Sequence, residues 1–402
     1  LFEITQRCNH ACLHCYNIWH YGDESQKTRR AESAGRQAGK PEGALALLDR
    51  VLDETGCPHV TLTGGEPLLC PELPAMLERL EARGATSTII TNGRLLDGAM
   101  AAGLIDRGAG LFELPLLSYR REVHDRLSGA PGAFDAVLAA MSHLRSLGGR
   151  FVAVFVATRL NLADLEGAIK LAVAFGAQAL MLNRFNPGGR GRVHLDLLPD
   201  APELARALAL ADGASARYGL PIACSIPIQP CLIDLAAYPH LNFGFCAAGT
   251  ERAYYTLDRR GNLRPCNHTP TVLGNVWQTP FWELATGPRM AEFAAAIPLA
   301  CAPCPRRVEC QGGCKAAAQA CYGSLTAEEP LRAYRWSSFP EYLVTASNRV
   351  PWLRVERWLG EYRIARDSAA GRRVWCVMRR CVTSFSIGPP GAASACLPSA
   401  WT

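Results

Sequence analysis

The run Leu1-Phe2-Glu3-Ile4-Thr5-Gln6-Arg7-Cys8-Asn9-His10-Ala11-Cys12-Leu13-His14-Cys15 opens the chain and decides how the rest is read. Its first five residues have the length and apolar character of a strand, and a loop with cysteines at C-x3-C-x2-C spacing follows at once. Three thiolates can each bind one iron of a cubane and leave the fourth iron without a protein ligand. An open metal position is what separates a substrate-binding site from a closed structural one. On spacing alone, a zinc ion completed by His10 or His14 is the alternative.

Working outward, short apolar runs alternate with amphipathic stretches as far as about residue 200. Strands are predicted at Leu1–Thr5, His59–Thr63, Ser87–Thr91, Leu111–Leu116, Phe151–Ala157 and Ala179–Asn183. Helices are predicted at Glu42–Glu54, Glu72–Arg83, Ala133–Leu147 and Leu162–Phe175, most of them closed by a glycine (Gly56, Gly84, Gly148, Gly176). Repeated βα units imply a parallel sheet with its chemistry at the carboxyl ends of the strands. Six units rather than eight give a partial barrel. The expected fold is therefore α/β, a partial (β/α)6 TIM-like barrel over residues 1–205, followed by a small cysteine-rich domain over 215–330.

The second informative stretch, Thr63-Gly64-Gly65-Glu66-Pro67, ends the second strand. Two glycines let the backbone approach a ligand closely, and Glu66 offers a carboxylate to an ammonium group. A lone Gly-Gly-Glu-Pro is a common turn; in the βα unit after a cysteine loop it is specific. Together the two motifs resemble the radical S-adenosylmethionine superfamily over roughly residues 1–200. The resemblance implies that Cys8, Cys12 and Cys15 ligate a 4Fe–4S cluster and that His14 occupies the family's aromatic position. It implies that the open iron chelates S-adenosylmethionine, whose amino group is held by Gly64, Gly65 and Glu66 of the element that closes with Pro67. Thr91-Asn92-Gly93 falls where the family contacts the cofactor, with a plain polar strand end as the equal alternative. His124-Asp125, Gly129 and Gly132-Ala133-Phe134-Asp135 resemble the family's segment after strand four. The strand itself departs from the pattern: Leu114-Pro115-Leu116-Leu117 stands where many relatives have a serine, and Ser118 comes only afterwards. Asn186-Pro187-Gly188-Gly189-Arg190-Gly191 lacks the Lys-Ser/Thr ending of a phosphate loop and is read as a turn at the barrel rim.

From about 215 to 330 apolar periodicity weakens, a helical stretch is predicted at Phe281–Ala295, and eight cysteines fall between Cys231 and Cys321. The order Cys246, Gly261, Cys266, then Cys301-x2-Cys304-x5-Cys310-x3-Cys314 and Cys321 resembles the SPASM extension, which carries two auxiliary 4Fe–4S clusters. By that resemblance Cys301, Cys304, Cys310 and Cys321 bind the distal cluster, and Cys246, Cys266 and Cys314 the nearer one. The fourth position of the nearer cluster is given to Cys231, or is open to substrate. Paired zinc knuckles are the alternative from spacing alone.

Composition agrees. The chain has 402 residues, 49% hydrophobic and 19% charged, with a formal net charge of +6 and no basic run dense enough for nucleic acid. No stretch is long and apolar enough to span a bilayer and no leader is seen, so a cytoplasmic protein is expected. Seventeen cysteines in such a chain point to metal rather than to disulfides. The start at Leu1, inside a strand, suggests that upstream residues are missing. Residues 331–402 form a tail of doubtful origin: Trp336–Leu343, Pro351–Leu353 and Asp367–Arg373 weakly resemble a tyrosine transposase-like fragment, and beyond Val382 the composition reads as disordered.

The resemblance implies three 4Fe–4S clusters, electrons from flavodoxin or ferredoxin, and reductive cleavage of S-adenosylmethionine to a 5′-deoxyadenosyl radical. The extension resembles those of enzymes acting on ribosomally made precursor peptides and of sulfatase maturases. A maturase is expected to carry Asp after the second cysteine of this field; here Asn267 follows Cys266, which leaves cross-linking, thioether formation, epimerisation or another oxidation. His268 is a candidate base, with a hydrogen-bonded structural role as its alternative. A small-molecule substrate is the runner-up, and a non-catalytic iron–sulfur or zinc scaffold is the reading from another class.

Overall fold

The computed structural model describes residues 1–20 and 43–333. Residues Leu1–Leu331 pack as one compact unit. The second unit, Arg332–Thr402, lies almost wholly outside the described residues, as do the features expected of the tail.

Eight strands run parallel in chain order: β1 (Phe2–Thr5), β2 (His59–Gly64), β3 (Thr86–Ile90), β4 (Leu111–Pro115), β5 (Phe151–Ala157), β6 (Leu180–Arg184), β7 (Ile222–Cys224) and β8 (Leu241–Phe243). The helices α1 (Ala44–Thr55), α2 (Leu73–Ala82), α3 (Gly98–Ile105), α4 (Arg121–Ser128), α5 (Ala133–Ser146), α6 (Leu165–Phe175) and α7 (Ala201–Tyr218) connect them. The six predicted strands are all present, and β7 and β8 extend the sheet beyond the expected six.

Strand alternation sorts the two faces of the sheet. In β5, Phe151, Ala153, Phe155 and Ala157 are buried while Val152, Val154 and Val156 are half-buried. The buried set joins Leu62, Phe112 and Leu182 from neighbouring strands and Leu47, Met76, Met141 and Leu208 from helices in one apolar core. The opposite face carries Glu3, Thr63, Ile90 and Glu113, brought level by the registers Glu3↔Thr63 and Ile90↔Glu113. Helices thus cover one face and leave polar groups on the other.

The cysteine-rich part continues the same sheet. Strand β9 (Thr256–Asp258) pairs in parallel with the outer edge of β1, and β10 (Asn262–Arg264) and β11 (Gly274–Asn275) follow antiparallel. The sheet therefore runs β11-β10-β9-β1-β2-β3-β4-β5-β6-β7-β8, with the first strand at the junction of both halves. The stretch predicted as one helix at Phe281–Ala295 is two, α8 (Phe281–Thr286) and α9 (Pro288–Ala295), broken where Gly287 is extended before Pro288. Short helices α10 (Arg307–Cys310), α11 (Lys315–Tyr322) and α12 (Pro330–Ala333) complete the described chain.

Candidate functional site

The loop with Cys8, Cys12 and Cys15 leaves β1 at its carboxyl end and is pinned from three sides. Ala11 and Leu13 donate their amides to the Ser128 and Leu127 carbonyls at the end of α4. The Gly191 amide reaches the Cys15 carbonyl at 3.0 Å, and Arg190 Nη1 the Cys12 carbonyl at 3.2 Å. The rim turn Asn186–Gly191 is therefore a clamp on the cysteine loop. A Cβ at Gly189 would stand 2.3 Å from the Asn17 carbonyl.

Cys8 is exposed, and Cys12 and Cys15 are half-buried. Burial pushes the Cys12 thiol up to about 12, and the neighbouring Cys15 and Cys8 add to the rise. Burial likewise raises the Cys8 and Cys15 thiols. His14 is held neutral, its pKa lowered by burial to about 4. Among the described residues no three His, Cys, Asp or Glu side chains are grouped as they would be around a metal ion.

The Gly-Gly-Glu-Pro element closes against this loop. Gly65 and Glu66 donate their amides to the Thr5 and Arg7 carbonyls, both at 2.8 Å. A Cβ at Gly64 or Gly65 would come within 2.3 Å of Thr5 or 2.1 Å of Arg7. The close approach that these glycines permit is to the backbone leading into Cys8.

Glu66 is buried, and burial raises its pKa against the pull of its hydrogen bonds. Its Oε1 accepts from Thr91 Oγ1 (2.6 Å) and the Leu68 amide (3.1 Å), and its Oε2 from the Asn92 amide (2.8 Å). A carboxylate offers about four acceptor sites, so room for one further donor is left. Asn92 Nδ2 meets Asn9 Oδ1 at 2.7 Å, and Asn17 Nδ2 meets the Gly64 carbonyl at 2.8 Å. Pro67 begins the short turn that follows. Cys8, Gly64, Glu66, Thr91 and Asn92 thus stand on one hydrogen-bonded surface at the carboxyl ends of β1, β2 and β3.

Two residues after strand four serve the frame. Ser118 is fully buried and donates to Asp164 Oδ2 at 2.7 Å. His124 Nδ1 accepts the Leu117 amide at 3.2 Å, and burial lowers its pKa to about 4.

The second cysteine field is tied to the first by a buried ion pair and an aromatic contact. Arg264 of β10 pairs with Glu3 of β1, both buried, and its Nη1 reaches the Asn267 and Thr269 carbonyls at 3.3 and 3.0 Å. That arginine fixes the turn carrying Cys266, Asn267 and His268. Tyr16, next to Cys15, stacks on His268 with ring centroids 4.4 Å apart. His268 Nδ1 is 2.9 Å from Asn267 Oδ1, and burial lowers its pKa to about 3, which keeps the ring neutral within a hydrogen-bonded pair.

Burial pushes the Cys266 thiol up to about 12, with Cys314 and Cys246 the thiols that add to the rise. Cys301 and Cys310 are buried and Cys304 is half-buried; the Cys304 amide donates to the Cys301 carbonyl at 3.0 Å. Gln311, Gly312 and Gly313 all have positive φ (52°, 80° and 93°), turning the backbone sharply between Cys310 and Cys314. Burial raises the Cys310 thiol, a Gly312 backbone hydrogen bond opposes, and Cys231 and Cys301 add to the rise. Burial lifts Cys321 to about 12, helped by Glu329 and then Cys314.

Three residues escaped the reading from sequence. Tyr16 carries no local signal, because its partner is 252 residues away. Asn186 was visible only as part of a turn. Glu113 sits in the apolar run Leu111-Phe112-Glu113-Leu114, on the sheet face away from the helices, and no hydrogen bond or ion pair among the described residues engages its carboxyl. Burial pushes its pKa up to about 7. A charge in the middle of an apolar strand is the signal that could have found it.

Comparison with known proteins agrees with this geometry. The family model of the radical SAM superfamily matches residues 2–172. The chain is 26% identical to an AdoMet-dependent heme synthase of Methanosarcina barkeri over 83% of this chain and 95% of that protein. It is 27% identical to a PqqA peptide cyclase of Granulibacter bethesdensis over 83% of this chain and 86% of that protein. Among solved structures, Streptococcus suis SuiB bound to precursor peptide SuiA shares the fold with a TM-score of 0.62 at 14% identity, covering 82% of this chain and 74% of that one.

Proposed function

We propose that this chain, an enzyme of the radical S-adenosylmethionine superfamily with SPASM-type features, oxidatively modifies a ribosomally made precursor peptide. Cys8, Cys12 and Cys15 would hold the reactive 4Fe–4S cluster, and His14, Gly64, Gly65, Glu66, Pro67, Thr91 and Asn92 would form the S-adenosylmethionine cradle. When bound and reduced, that pair supplies a 5′-deoxyadenosyl radical able to take a hydrogen atom from an unactivated carbon. Flavodoxin or ferredoxin would supply the electron. Cys246, Cys266 and Cys314, with Cys231 or substrate in the fourth place, would hold one auxiliary cluster, and Cys301, Cys304, Cys310 and Cys321 the other, for three in all.

The protein's own part is to orient and to move protons. Glu66 fixes the Thr91-Asn92 turn and has an acceptor site left for an ammonium group. Glu113, unpaired among the described residues on the polar face of the sheet, can take a proton from a substrate. His268 Nδ1 donates to Asn267 Oδ1, which leaves Nε2 as the nitrogen able to accept a proton.

The observation that carries the reading is the join between the fields: strand β9 of the cysteine-rich part pairs with β1, whose loop bears the first three cysteines. A protein that builds two thiol fields into one sheet is equipped to pass electrons between substrate and several metal centres. Similarity to a peptide cyclase supports the peptide as substrate. The heme synthase relative, matched over 95% of its length, favours a small molecule as the second reading.

The test is anaerobic reconstitution with iron and sulfide, iron counting, and assay of 5′-deoxyadenosine after reduction. About twelve irons per chain and 5′-deoxyadenosine formed faster with a short peptide encoded beside the gene support the proposal. Stimulation by a tetrapyrrole instead of a peptide moves the assignment to the second reading. A fully loaded protein that forms no 5′-deoxyadenosine overturns both.

A further inference from the structure

The carboxamide of Asn186 stands against the Cys314 sulfur, with Nδ2 3.4 Å from Sγ. Asn186 opens the clamp turn after β6, whereas Cys314 caps α11 from the second cysteine field. The contact therefore joins the rim of the sheet to the auxiliary thiols across 128 residues of sequence. The side chain is only 5% exposed, and this is its one hydrogen bond among the described residues. Its Oδ1 is buried without a partner. A buried amide with an unsatisfied oxygen has no competing reason to hold this orientation, which costs it a hydrogen bond.

The orientation is the one a metal-bound sulfur selects. Such a sulfur accepts hydrogen bonds and donates none; turning the amide round would set Oδ1 against it. The support beneath Asn186 is rigid. Arg184, the last residue of β6, is buried with Glu329 at 2.8 Å and donates from Nε to the Pro227 carbonyl at 2.7 Å. Gln229 Nε2 completes the group by donating to Glu329 Oε2 at 2.7 Å.

We infer that Asn186 sets the reduction potential of the nearer auxiliary cluster by donating its N–H to the Cys314 sulfur. Uptake of one electron makes a cluster and its ligand sulfurs more negative. A hydrogen bond to sulfur favours that reduced form and raises the potential. Asn186 is thus a positioning and tuning residue acting through Cys314, and the inference rests on the ligand role proposed for Cys314 above.

The test uses the full chain with C8A, C12A and C15A, so that only auxiliary signals remain, reconstituted anaerobically and titrated by electron paramagnetic resonance. With N186L added, one auxiliary signal should shift to a more negative midpoint, the other should stay in place, and iron content should hold at about eight per chain. If both midpoints stay in place with iron fully loaded, Asn186 does not tune the cluster and the inference falls, while the ligand reading stands. If the parent takes up no auxiliary iron, the ligand reading itself falls. Should N186L fail to load, the smaller and uncharged N186A is read instead: a more negative midpoint of that one signal supports the inference, and an unchanged or higher one overturns it.

Discussion

Tyr16 and His268 stack with ring centroids 4.4 Å apart and planes inclined by 33°. One follows Cys15 and the other lies two residues after Cys266, so a single aromatic pair joins the two cysteine fields. His268 is buried and Tyr16 half-buried.

Removing that ring should loosen both fields together. Y16A should cost about 2–4 kcal/mol, the range for deleting a large packed side chain. Y16F keeps the stack and loses only the hydroxyl, a change of about 1 kcal/mol or less. Urea unfolding of the three proteins gives the stabilities, and iron counting gives the loading. Y16A should bind less iron than Y16F. Equal loading would mean that the two loops are held in register without the stack.

The Glu3–Arg264 pair should show strong non-additivity. Both partners are buried, and Arg264 also carries the Asn267 and Thr269 carbonyls. R264A leaves Glu3 buried and uncompensated, which typically costs about 3–5 kcal/mol. Adding E3Q should restore part of that loss by removing the stranded charge, and unfolding of the single and double variants measures the coupling. Simple addition of the two losses would show that the ion pair contributes little beyond its separate side chains.

Glu66 separates positioning from binding. E66Q keeps the shape of the side chain but removes its charge and turns one acceptor into a donor, facing either Thr91 Oγ1 or the Asn92 amide. Affinity for S-adenosylmethionine, measured by calorimetry on reconstituted protein, should fall at least about tenfold, the equivalent of one charge-assisted hydrogen bond. Removing the Thr91 hydroxyl with T91V should weaken binding less, because the Asn92 amide still holds the carboxylate. A T91V protein as impaired as E66Q would place the effect in the turn rather than in the charge.

How much of this could be read from the chain alone depended on the range of each interaction. The six long strands declared themselves through runs such as Phe151–Ala157, because five to seven residues suffice to show alternation. Strands β7 to β11 are two or three residues long and carry no period, so the growth of the sheet at both edges was hidden. Helix α7 was legible in principle: Asp200 and Glu203 form a capping box around Pro202. The Gly64-Gly65 pair was legible as a close approach, but its nearness to the Thr5 and Arg7 carbonyls, which depends on how β1 and β2 align, was not. The ion pair of Glu3 with Arg264 is set by the pairing of β1 with β9, and no local rule announces it.

Glu113 gives the prediction with a pH signature. Burial holds its proton in the folded chain, raising the pKa from an ordinary 4.5 to about 7. The folded state therefore binds this proton more tightly than the unfolded state does. The associated stability is fully present below about pH 4.5 and is lost as pH rises towards 7, after which the penalty of the buried charge is constant. E113Q carries no ionisable group there, so it should match the wild type near pH 4.5 and exceed its stability by about 2–3 kcal/mol at pH 8. Parallel stability curves for the two proteins would show that the carboxyl is solvated. Turnover should move the other way: if Glu113 takes the substrate's proton, E113Q loses activity at every pH, and the wild-type rate rises through pH 7 as the carboxylate forms. Only a group with both behaviours, harmful to stability when charged and needed for turnover in that same form, fits an unpaired acid kept on the polar face of the sheet for its chemistry.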